Sequence, residues 1–173
     1  MSSSQSPSLQ DNDPWTEIER FVSDISYPLD IVGVGNPLRQ DDAAGIGVAT
    51  ALRRKLDHRG RGVRVHADPT SPERLLSKLI ESGHRVVVVD AVDANKPAGT
   101  VVCARLSDTK FGYFATHNIP LRLIPGIAPR ADEVLLIGIQ PGAIDVGEEM
   151  SPKVKESVDL VVSALIEALE EGK

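Results

Sequence analysis

Apolar residues recur along the chain with two different periods. In WTEIERFVSDIS, Trp15, Ile18, Phe21, Val22 and Ile25 fall at helical spacing, which predicts a short helix packed on the rest of the chain. Ile46, Ala49 and Leu52 share one face of a predicted helix from Ala43 to Leu56. Leu75, Leu76, Leu79 and Ile80 do so after Ser71-Pro72, and Val154, Val158, Val161, Leu165 and Leu169 after Ser151-Pro152. Ser71 and Pro72 suit an N-cap followed by the first helical position, and Ser151-Pro152 starts the last helix. A short helix carrying Ile119, Leu121, Leu123 and Ile124 is also expected. Between the helices lie five strand-like runs: LDIVGVG, GVRVHA, RVVVVDAV, TVVCARL and EVLLIGI. The third is a continuous β-branched run, the mark of a strand covered on both faces.

Alternation of strands and helices predicts a three-layer α/β/α domain around a mostly parallel, five-stranded twisted sheet. Right-handed crossovers keep strands one, two, three and five parallel. The link VDANKPAG is too short for a crossover helix, so strand four is expected to run antiparallel. Residues 1–14 are rich in Ser, Pro and Gln and read as disordered, residues 15–28 hold the short N-terminal helix, and residues 29–173 form a single domain. No repeat or second domain is visible.

Composition narrows the function classes. A net charge of −6 argues against a nucleic-acid surface, which needs clustered Lys and Arg. The basic run from Arg53 to Arg64 suits a helix C-terminus instead. The one cysteine, Cys103, reads as a small buried strand residue, and a reducing cytoplasm fits. The first residues lack the basic and apolar regions of a secretory signal, so none is expected, and no apolar run approaches the ~18 residues of a membrane span. No exposed heptad appears, and a monomer is expected.

Open α/β sheets bind ligands beyond the carboxyl ends of their strands. Asp41 and Asp42 follow strand one, Asp68 follows strand two, and Asp90 is expected to end strand three. If strand four is antiparallel, the segment after it travels back and can return His117 to that edge. Four carboxylates and an imidazole around one crevice form a metal-site constellation. Plainer roles exist for each: Asp41 or Asp42 can cap the helix near Ala43, and Asp68 can start an Asx-turn before Pro69. Of the other histidines, His58 and His84 read as solvated, and His66 alternates within a strand.

Leu38 stands where a dinucleotide fingerprint needs its third glycine, and two acids would repel a pyrophosphate. There is no P-loop and no Gly-x-Ser-x-Gly elbow, and Cys103 sits mid-strand. Metal-assisted hydrolysis or metal sensing remains.

The motifs GVGNPLRQDDAAG, VVVVDAVDANKPAGT, THNIPL and LLIGIQP resemble, in order, the signatures of the hydrogenase maturation endopeptidases. The resemblance spans Ile31 to the final helix, and THNIPL with SPER looks closest to the formate-hydrogenlyase-type branch. It implies a phosphorylase/hydrolase-like α/β fold and a cytoplasmic protease that removes the C-terminal extension of a [NiFe] hydrogenase large-subunit precursor. Carried over by position, the metal-binding residues fall on Asp42, Asp90 and His117. Asp68, Asn36 and Gln140 fall among substrate-binding positions. The chain departs from the family at Asp68-Pro69-Thr70, where Asp-Gly-Gly is frequent, and at Ala43, where Gly is frequent.

The resemblance further implies that nickel is supplied by the precursor rather than held by the isolated protease. Two carboxylates and one imidazole make a weak, open site for such a borderline ion. Asp41 or Asp42 is the expected general base. Two rivals stand beside this reading. A nickel-dependent chaperone that holds the precursor uncut would use the same ligands. Peptidyl-tRNA hydrolase shares the Gly-x-Gly-Asn-Pro turn but carries no acid pair there and needs a basic tRNA surface.

Overall fold

A computed structural model describes residues 13–23, 28–56, 62–67, 70–108, 115–116, 121–124 and 126–171. The strands are β1 (Leu29–Gly33), β2 (Val63–Ala67), β3 (Arg85–Asp93), β4 (Val101–Arg105), β5 (Ala115–Thr116) and β6 (Val134–Ile139). The helices are α1 (Pro14–Val22), α2 (Ala44–Lys55), α3 (Pro72–Glu81) and α4 (Pro152–Glu171). Five strands form one path in the order β2-β1-β3-β6-β4. β1 pairs in parallel with β2 and β3, and β3 in parallel with β6. β4 runs antiparallel to β6, as the short link after β3 requires.

The sheet has two covered faces. Ile31, Val87, Val89, Leu135 and Ile137 pack with residues of α1, α2 and α4 on one side. Val32, Val86, Val88 and Leu136 pack with Leu76, Leu79 and Ile80 of α3 on the other. The valine run of β3 therefore feeds both layers alternately, which is why it has no polar member before Asp90.

α1 belongs to the first layer. Asp13 accepts a hydrogen bond from the Thr16 backbone N–H at 3.3 Å, and Pro14 occupies the first turn. Ile18, Phe21 and Val22 are buried against the core, each worth about 1.5–3 kcal/mol by burial alone. The Phe21 ring lies under the Arg85 guanidinium at 4.1 Å, and Arg105 Nε donates to Glu17 Oε1 at 2.8 Å. Ile25 lies outside the described residues.

Three details differ from the sequence pattern. β3 does not end at Asp90: β6 and β5 supply partners for Ala91, Val92 and Asp93, and the strand continues to Asp93. β5 has two residues, too few to show a period. The expected helix around Leu121 is a 3-10 turn, Leu121–Leu123, and a further 3-10 segment spans Ala128–Glu133. With three residues per turn, Leu121 and Ile124 share the buried side and Leu123 faces outward.

Candidate active site

The chain leaves β1 toward β2 on one side and β3 lies on the other, so the topological switch point falls between β1 and β3. A ligand crevice is expected beyond their carboxyl ends. Two close approaches seat the first turn there. A Cβ on Gly45 would meet the carbonyl oxygens of Val89 and Val34 at 2.1 and 2.3 Å, so the start of α2 rests directly on the sheet. Gly35, with φ of 151°, lets the chain pass the Asp42 carbonyl, which a Cβ would meet at 1.9 Å. The loop then closes on itself, with Asn36 N–H donating to Asp42 O and Asp42 N–H to Arg39 O.

Asp41 and Asp42 lie in a 3-10 turn, Gln40–Ala43, that runs into α2. Neither caps the helix: Ala43 occupies the N-cap position, with no side-chain cap bond. The capping role considered for one of them is thus corrected. The extra turn carries both carboxylates past the cap position and leaves them to other partners.

Those partners separate the two acids. Asp41 is fully buried, and four donors from the β6–α4 loop converge on it. Oδ2 accepts from Gly142 N–H at 2.8 Å, Ala143 N–H at 2.9 Å and Ser151 Oγ at 2.7 Å, and Oδ1 accepts from Ser151 N–H at 2.6 Å. Burial pushes the Asp41 carboxyl up, but the Ser151 hydroxyl and the three backbone N–H groups outweigh it and hold the carboxyl below its usual value. Such a carboxylate is a structural anchor, poorly suited to take a proton from water.

Asp42 is 6% exposed and Asp90 fully buried. Asp90 sits one residue past the end of β1, whose last residue Gly33 pairs with Val89. Strand alternation places it with Val88 and Val92 on the α3 side, beside Gly138 of β6. The turn carrying Asp42 packs against β3, the strand carrying Asp90. Both residues therefore lie on adjoining elements near the carboxyl end of β1, at the switch point.

The remaining expected positions fare differently. His117 and Asp68 lie outside the described residues. Thr116, which directly precedes His117 in sequence, pairs with Val92. Asn36 Oδ1 accepts from Leu38 N–H at 3.0 Å, an Asx-turn. Gln140 is buried and ties down the β3–β4 link, with Oε1 accepting from Ala94 N–H at 2.8 Å and Lys96 N–H at 3.2 Å. Among the described residues, no group of three or more His, Cys, Asp or Glu side chains is arranged to hold a metal ion. The five-member constellation expected at this edge is accordingly reduced to Asp42 and Asp90 within the described part, with Asp41 committed elsewhere.

Two other groups complete the picture. At the opposite, amino end of the sheet, buried Asp30 accepts from His66 Nε2 and His84 Nδ1, both at 2.6 Å, and from Arg64 Nη2 at 3.1 Å. His84 is thus a partner of a buried acid rather than a solvated loop residue. Burial, then the charges of Glu17 and Asp13, push the Cys103 thiol upward, away from nucleophilic reactivity. No helix among the described residues is long and apolar enough to cross a membrane.

Ser151-Pro152 starts α4 as expected and carries a second role that the sequence did not show. Its serine hydroxyl reaches back to Asp41 while its carbonyl accepts from Val154 and Lys155 N–H at the start of α4.

A family model for the HycI hydrogenase maturation proteases matches residues 46–168. The hydrogenase 3 maturation protease of Escherichia coli is 30% identical over 136 residues, covering 76% of this chain and 85% of that protein. A Methanocaldococcus jannaschii protein provisionally named as a hydrogenase maturation protease is 31% identical over 154 residues, covering 84% and 90%. The crystal structure of a [NiFe] hydrogenase maturation protease, HycI, from Thermococcus kodakarensis aligns with a TM-score of 0.72 at 28% identity, covering 89% of this chain and 99% of that one. The α/β sheet, with its buried acids at the switch point, thus shares its fold with a protease. The chain belongs to the hydrogenase maturation protease family and is an endopeptidase.

Proposed function

We propose that this protease removes the C-terminal extension of a [NiFe] hydrogenase large-subunit precursor after nickel insertion, and that the nickel arrives with the substrate. The observation that carries this reading is the pair Asp42 and Asp90, two buried carboxylates on adjoining elements at the switch point. An oxygen pair completed by one imidazole, His117, suits an ion whose stronger ligands come from another chain. Bound there, the ion supplies Lewis acidity toward the scissile carbonyl or a water.

The protein's own contribution is positioning and proton transfer. Asp90 presents its carboxylate from the middle strand of the sheet. Asp42 receives the proton of the attacking water, the role that Asp41's four donors deny to Asp41. Dependence on substrate-borne nickel makes cleavage a check on maturation, since a precursor without the ion lacks the ligand that joins it to the site.

The test is substitution at each position. Asp42→Asn, Asp90→Asn and His117→Ala should each lower precursor cleavage by about a hundredfold or more while the thermal unfolding profile stays cooperative. Cleavage by His117→Ala at the wild-type rate would show that the site is elsewhere.

A further inference from the structure

Two large aliphatic side chains stand in solvent beside the candidate site: Leu38 is 59% exposed and Val146 is 90% exposed. Leu38 lies in the loop that carries Asp42, and Val146 in the loop whose Gly142 and Ala143 bind Asp41. A single exposed aliphatic residue is ordinary and needs no explanation. These two are not independent, because backbone bonds join their loops. Gly147 N–H donates to Leu38 O at 2.9 Å, Gln40 N–H donates to Gly147 O at 2.7 Å, and Arg39 and Gly147 form a parallel bridge.

The frame that displays them is held at some cost. Gln40 adopts a left-handed backbone, φ 44°, at the point where the bridge forms, and its Oε1 is buried without a hydrogen-bond partner among the described residues. Strain and an unmet acceptor, each unfavourable, persist where surrounding contacts over-determine the geometry, and such places cluster at functional sites. Here the Asp41 carboxylate and the Arg39 Nε bond to Ile144 O supply that constraint.

Charge indicates what seats on this frame. Asp145, Glu148 and Glu149 flank Val146, are exposed, and take part in no ion pair or side-chain hydrogen bond among the described residues. Three exposed acids flanking Val146, on a loop bonded to that of Leu38, complement a segment bearing both apolar and basic residues.

We infer that Leu38 and Val146, with the acidic β6–α4 loop, form a docking surface for an aliphatic and basic segment of the precursor, seated on the rim of the active site. This rests on the proposed function for the identity of the precursor and extends it to the surface that holds it. The stitched backbone presents the two side chains in one relative position, so little ordering cost falls on binding.

The test measures the dissociation constant of a nickel-loaded large-subunit precursor for the full-length protein, with cleavage followed separately by mass. The double variant Leu38→Ser/Val146→Ser and the reversal Glu148→Lys/Glu149→Lys alter exposed side chains only. Each should weaken binding about tenfold, and wild-type binding should weaken as salt is added. Unchanged binding in both variants overturns the docking surface, as does a wild-type protein that fails to bind the precursor. Binding that depends on Leu38 and Val146 without any cleavage supports the surface and counts only against the proposed proteolysis.

Discussion

Ser151 donates both its backbone N–H and its hydroxyl to the carboxylate of Asp41, at 2.6 and 2.7 Å, and so joins the start of the last helix to the turn after the first strand. Asp41→Asn brings an amide N–H₂ against these donors and should cost about 2–4 kcal/mol. Ser151→Ala removes one hydroxyl and keeps the backbone donors, so its cost should be about 1 kcal/mol. Urea unfolding of the two variants checks the order. Equal stability of Asp41→Asn and wild type would remove Asp41 as the anchor.

The same contact sets a pH dependence. Asp41's folded carboxyl lies below its ordinary value of 3.8, so its contribution to stability is present above that value and is lost as pH falls through the folded value. The stability gap between wild type and Asp41→Asn should therefore be full at pH ~7 and shrink toward acid pH. A gap that widens on acidification would mean that the carboxyl is raised.

Gly45 is a steric requirement. Alanine there would place a Cβ 2.1 Å from the Val89 carbonyl oxygen and 2.3 Å from that of Val34, both backbone atoms that cannot rotate away. Gly45→Ala should destabilise by about 3 kcal/mol and displace the turn carrying Asp42, with a loss of cleavage even at low temperature. A stable, active variant would show that α2 can lift from the sheet without consequence.

Asp30 separates stability from activity. It is fully buried and held by His66, His84 and Arg64 at the amino end of the sheet, away from the candidate site. Asp30→Ala removes the buried acceptor that those three partners share and should cost about 3 kcal/mol. Cleavage per folded molecule should stay within about twofold of wild type, which a rate normalised to folded protein would test.

Much of this architecture was legible in the sequence, for identifiable reasons. The valines of β3 are buried on both faces, and the Ser-Pro pairs mark where α3 and α4 begin. The shortness of the link after β3 dictates the direction of β4. Those constraints also carry Asp42 and Asp90 to one edge. The role of Asp41 was hidden because its partners lie about a hundred residues downstream, on backbone N–H groups that leave no sequence signature. The same holds for His84, whose glycine neighbour suggested solvent, while Asp30 of a different strand is what holds it. β5 escaped notice because two residues show no periodicity.

The central claim is nickel-gated removal of a C-terminal segment, and intact mass of the precursor tests it most directly. Nickel-loaded and nickel-free large-subunit precursor would each be incubated with this protein and weighed by mass spectrometry. A single discrete C-terminal mass loss from the nickel-loaded precursor alone is the predicted result. Equal loss from nickel-free precursor, or no loss from precursor shown to carry the ion, would contradict it.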